Sequence, residues 1–203
     1  MPSLIQNYNR NVYVNQLKKV YNTIHNGFDL YMSNNNADNI KDAGINSQAD
    51  LDEMIPKYFS VIKTCEEDNL TECMIAPDKY KKLNGEKVFY SASSNPIYGM
   101  QPVYGTKAYI FSDGSTARFR YLKGDILLIV DTNGKKKPNI QGKDLFTMKR
   151  YFNNKFGDWH PFEYGCCSGV SGEPGVRFGG CFGKILELNW HLNDSNYCPQ
   201  WKY

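Results

Sequence analysis

The stretch GDILLIVDTNGKKKPNIQGKD, Gly124–Asp144, decides how the chain folds. Its apolar run, Ile126 to Val130, is too short for a helix and is bounded by glycine and turn formers, so it reads as a buried strand. The run stops at Asp131-Thr132-Asn133-Gly134. Three lysines, a Pro-Asn pair and a second glycine follow before Asp144.

Three chemistries fit such a loop. Asp131, Asn133 and Asp144 are oxygen donors, and D-x-N-G resembles the front of a calcium loop. Lys135, however, stands where a further acid belongs, and no bidentate Glu follows at the right distance. A phosphate loop would need G-x-x-x-x-G-K-[ST], which is missing. The preferred reading is structural. Asp131 and Asn133 cap their own backbone as Asx turns, Gly134 takes a positive φ, Pro138-Asn139 makes the return, and Asp144 accepts backbone N–H groups. The loop is then expected at the sheet edge, with no cofactor; Ca2+ is the alternative.

Outward from this strand the period is that of a sheet. TKAYIFSDGSTARFRYL holds two strands around Asp113-Gly114, a hairpin signal, and KVFYSAS reads as another short strand. Leu145–Tyr151 and Lys184–Leu192 read as a second, weaker pair. Before residue 87 the period is helical. Val14, Leu17, Val20, Tyr21, Ile24 and Phe28 recur at spacings of three and four and are expected to dock a first helix, residues 1–30, onto the sheet. That pattern begins abruptly after Pro2 with no capping residue, as the cut end of a longer helix would. Ser47-x-x-Asp50 resembles a capping box opening a second helix over 47–64, with a kink or break expected at Pro56. The fold class is therefore α+β: a long N-terminal helix on an antiparallel sheet of three to five strands. The chain reads as one domain, 1–203, with its sheet over 87–151 and a Cys-rich region over 153–203.

Composition excludes several functions. A net charge of +3 is too small for a nucleic-acid binder, and the Lys135–Lys137 cluster reads as a solvated turn. No apolar run is long enough to span a bilayer. The cysteines, six in all, are Cys65, Cys73, Cys166, Cys167, Cys181 and Cys198. Their even number in a Tyr- and Asn-rich chain points to disulfides and an oxidising compartment. Cys65 and Cys73 close a short polar loop. Cys166 and Cys167, being adjacent, are expected to reach Cys181 and Cys198 in an order the spacing leaves open.

Other chemistries have weaker footing. Cys166 or Cys167 with His160 or His191 could form an acyl-transfer pair, but no catalytic Cys signature is present. The same residues with Cys181 and Cys198 could hold zinc, but the C-x2–4-C knuckles that zinc prefers are missing. Glu163, Glu173 and Glu187 are too scattered to name a glycosidase pair. Trp159, Trp190, Trp201, Tyr164, Tyr197 and Tyr203 make the last third aromatic, either as a small core or as a receptor- or carbohydrate-binding face.

The order of these segments resembles the type IV pilin-like and type II secretion pseudopilin proteins. PSLIQNYNRNVYVNQLKKVYNTIHNGF is similar to the half of their N-terminal helix that follows the apolar stem, with Pro2 at the kink position. DLDEMIPKYFSVIKTC resembles a helical insert ending in a cysteine, YIFSDGSTARFRY their central hairpin, and GKILELNWHL their closing strand. The clearest likeness is Asp131-x-Asn133-Gly134, Pro138-Asn139, Gly142-x-Asp144-x-Phe146. The resemblance implies a pilin-like fold and a non-enzymatic filament subunit. Its partners would be other pilin subunits and the pilus assembly machinery. It would reside in a surface filament after anchorage in the inner membrane through a stem not in this sequence. The alternative is a secreted adhesin using the aromatic last third.

Overall fold

The structure is a computed structural model. It describes residues 2–83, 85, 106–159 and 180–191; the side chains of residues 2–7 and 77 are outside that description. The strand expected at KVFYSAS and most of the Cys-rich region, with Cys166, Cys167 and Cys198, fall outside the described residues.

Helix α1 runs Pro2–Asn34. Its stripe of Val14, Leu17, Val20, Ile24 and Phe28 is buried, while Tyr21 is half-buried against the same core. The helix ends in a Schellman motif. Asn36 takes φ 51°, Asn36 N donates to Ser33 O at 3.1 Å, and Ala37 N donates to Met32 O at 3.0 Å.

Helix α2, Gln48–Tyr58, opens as the capping box predicts: Asp50 N donates to Ser47 Oγ at 3.2 Å, and Asp50 reaches back to Asn46 N at 2.9 Å. It ends at Tyr58, not at residue 64. Pro56 lies inside the helix two residues before its end, and the β-branched Val61, Ile62 and Thr64 favour the strand that follows, β1, Val61–Cys65.

Strands β2 (Ala108–Phe111), β3 (Thr116–Leu122), β4 (Asp125–Asp131), β5 (Leu145–Arg150) and β6 (Phe156–Gly157) complete the sheet. It is a six-stranded antiparallel meander in chain order, one strand wider than expected. The wider sheet follows from β1, taken from what read as helix, and from the short β6. Past Ala108, the first residue of β2, the Gln48 side chain takes that strand's place beside β3, donating to Phe119 O at 3.1 Å and accepting from Tyr121 N at 2.9 Å.

Both faces are covered, which explains the unbroken apolar run of β4. Ile126, Leu128 and Val130 pack with α1, α2 and Phe182 in the main core. Ile129 faces a second core with Cys65, Cys73, Met74, Tyr80 and Leu145, beneath the segment that follows β1. The Cys65–Cys73 disulfide, with Cα atoms 6.1 Å apart, closes the start of that segment.

Lys184–Leu192 is not a strand paired with β5. Helix α3, Cys181–Glu187, occupies it. Phe182 and Ile185 lie three residues apart and are both buried, so the stretch satisfies a helical period as well as the alternating one. Asp158, from the end of β6, fixes this helix by accepting Gly183 N at 3.1 Å, Trp159 N at 2.7 Å and the Thr147 hydroxyl.

Candidate functional site

The chemistry-bearing residues of the opening stretch meet α1 at one end of the sheet. Asp131 closes β4 and Asp144 opens onto β5. The loop between them lies at one end of the sheet, where β5 has no strand outside it, because β6 pairs only with Lys149 and Arg150 at the other end.

The loop is organised around two fully buried carboxylates. Asp131 accepts Asn133 N at 3.1 Å, closing an Asx turn, and Tyr80 Oη at 2.7 Å. Asp144 accepts Ile140 N at 2.6 Å through one oxygen and Asn139 N at 2.7 Å through the other, with Asn133 Nδ2 at 3.3 Å. Gly134 has φ 67°, and a Cβ there would stand 2.6 Å from Gly114 O, so only glycine fits where this loop meets the β2–β3 turn.

Burial pushes the Asp131 carboxyl up to about 8; the neighbouring Asp144 charge adds to this, and the Tyr80 hydroxyl and the N–H groups of Asn133 and Gly134 hold it back. Asp144 is raised by burial, against the pull of Ile140 and Asn139 N–H. These donors point at the oxygens a calcium ion would use, which favours the loop-shaping role of the two acids over ion binding. Among the described residues, no group of three or more His, Cys, Asp or Glu is placed to hold a metal.

Between α1, the Asp113-Gly114 turn and the loop runs a groove of about 450 Å3, lined by Tyr13, Gln16, Lys19, Asp113, Asn133 and Lys137 among others. Lys19 Nζ stands 3.5 Å from Asp113 Oδ2. Gln16 Oε1, Thr132 Oγ1 and Asn133 Oδ1 are enclosed at this seam without hydrogen-bond partners. The described lining contains no histidine or cysteine, so the Cys–His pairing considered from the sequence is not assembled in this groove.

The other candidates are dispersed. Cys181 is buried and disulfide-bonded, with its partner outside the described residues, so its sulfur is neither a free nucleophile nor a zinc thiolate. His191 is exposed, its Nδ1 2.7 Å from Asn189 O. His160, Glu163 and Glu173 lie outside the described residues. Glu187 is exposed and pairs with Lys184 at 3.1 Å. Trp159 Nε1 donates to Met148 O at 2.6 Å, and Trp190 packs on Tyr21 with ring centroids 5.3 Å apart. Both described tryptophans thus serve internal packing; Trp201, Tyr164, Tyr197 and Tyr203 lie outside the described residues. Lys135–Lys137 are exposed.

Sequence reasoning missed Tyr80, set in the polar stretch PDKYKK with no periodic signal. It also missed Asp158, and it missed Arg118 and Arg150, each 1% exposed. Arg118 Nη2 donates to Thr106 O at 2.9 Å. Arg150 lies over the Phe28 ring, 4.9 Å from its centroid, and donates to Asn154 Oδ1 at 2.8 Å. Burial lowers both guanidinium pKa values to about 10.

Comparison with known proteins finds no match for this chain among family models, curated proteins or solved structures.

Proposed function

We propose that the chain is a structural subunit of a helical surface filament, a type IV pilus or a type II secretion pseudopilus, with a pilin-like arrangement of helix and sheet. One observation carries the reading: the division of labour along α1. From Val14 to Phe28 the helix buries an apolar stripe against the sheet. It begins well before that stripe, at Pro2, and Tyr8 is 70% exposed. The stretch ahead of Val14 amounts to roughly 18 Å of helix at about 1.5 Å per residue. Arg10 is still buried on the inner side of that stretch, so the helix is docked along one face and carries Tyr8 on the other, and such an outer face can pack against copies of itself. A heterologous contact of that kind does not close on itself and builds a fibre.

The meander in chain order, the Asp131–Asp144 loop at its end and the disulfide of the exported type agree with this role. The apolar stem that the resemblance implies would hold the subunit in the inner membrane before assembly and the filament core after it. The test is fractionation of native cells. Shearing should release the chain with surface filaments, and antibody against the domain should decorate them. Recovery only as a freely secreted monomer would overturn the proposal.

A further inference from the structure

We propose that Asn69 is a site of N-linked glycosylation. The loop closed by Cys65 and Cys73 contains Asn69-Leu70-Thr71, an N-x-T acceptor with no proline in the middle. Glu67 stands two residues ahead, so the stretch reads acid-x-Asn-x-Thr, which adds a charge that a transferase can read.

The geometry suits attachment. The segment Glu67–Glu72 is a 3-10 helix broken at Asn69 itself, whose φ of −127° and ψ of 27° are not helical. Asp68, Thr71 and Glu72 on either side are exposed. Asn69 itself is half-buried, and its Oδ1 makes no hydrogen bond, so no protein partner ties the amide down. A saccharide on Nδ2 would leave by the exposed side that Asp68, Thr71 and Glu72 form, away from the buried Cys65–Cys73 disulfide.

In the transfer, Asn69 Nδ2 bonds to the anomeric carbon of a saccharide carried on a lipid diphosphate. The bond from that carbon to the phosphate oxygen breaks, the lipid diphosphate leaves with the electron pair, and the Nδ2 proton passes to a base of the transferase. The inference rests on the export proposed above, because such lipid-linked donors are used on the exported side of a membrane.

The test is mass spectrometry of the chain purified from its native cells. The peptide containing Asn69 should carry a saccharide mass that peptide N-glycosidase removes, leaving aspartate. Asn69→Gln and Thr71→Ala should abolish it, and Thr71→Ser should retain it. An unmodified Asn69 in the native chain, or modification confined to the second N-x-S sequence at Asn193, would overturn the inference. A glycan on Asn69 in a chain that never enters a filament would sink the assembly reading alone. Filaments of unmodified chains would sink the glycan alone.

Discussion

Tyr80 Oη donates a 2.7 Å hydrogen bond to Asp131 Oδ2, and neither residue is exposed at all. Together with the backbone bonds from Lys81 N to Asn139 O, 3.0 Å, and from Gln141 N to Lys81 O, 2.8 Å, this bond ties the segment covering the second face of the sheet to the loop at the sheet's end. Tyr80→Phe keeps the ring and removes the donor, leaving a buried oxygen of the Asp131 carboxyl short of a partner. The expected loss is about 1–3 kcal/mol, seen as a lower urea midpoint with unchanged m. An unchanged midpoint would show that the bond does not hold the loop.

The same carboxyl sets a pH dependence. Asp131 titrates near 8 in the fold and near about 3.9 when unfolded. Between those values the native state keeps a proton that the unfolded chain releases, so stability falls as pH rises from about 4 to about 8. Asp144 and Asp158, both raised by burial, act in the same direction. Melting temperatures measured across that window should decline in the wild type and decline less in Asp131→Asn. Equal slopes in the two proteins would contradict the assignment.

Gly27 sits in the middle of α1 where a Cβ would come 2.6 Å from the Phe59 ring. Gly27→Ala gains up to about 1 kcal/mol of helix propensity. The Phe59 ring is itself hemmed in by Phe28, Phe111 and Phe119, so the clash should dominate, with a net loss of about 1–2 kcal/mol. In a Phe59→Leu background the same substitution should cost less. A double-mutant cycle with no coupling would show that the two residues do not press on each other.

The Cys65–Cys73 disulfide joins residues eight apart in sequence. Replacing both cysteines by serine should cost roughly 2–3 kcal/mol in the chain-entropy account and loosen the segment that leads to Tyr80. Hydrogen exchange should quicken over residues 66–80 while β4 stays protected. Uniform quickening across the sheet would mean that the disulfide supports the whole fold.

What the sequence made legible was local. The stripe of α1 and the Asp113-Gly114 turn follow from periodicity and turn chemistry. So does the Asx turn of Asp131, because each depends on residues a few positions apart. What was hidden depends on distant pairing. Tyr80 meets Asp131 across 51 positions, and nothing in PDKYKK announces it. Arg118 and Arg150 sit in strands where alternation suggests a wet face, yet the sheet is covered on both sides. Beyond Tyr58 the apolar residues keep a helical spacing by coincidence, and the β-branched run that starts at Val61 wins. At α3 the spacing satisfied two periods at once, and the cap from Asp158 settles which one forms.

Cryo-electron microscopy of filaments sheared from native cells tests the central claim most directly. The account predicts a helical fibre with α1 of successive copies bundled at the axis and the six-stranded sheet outward, its Asp131–Asp144 loop near a neighbouring subunit. Filaments that lack this chain, or a fibre in which α1 faces solvent and the sheet forms the axis, would contradict it.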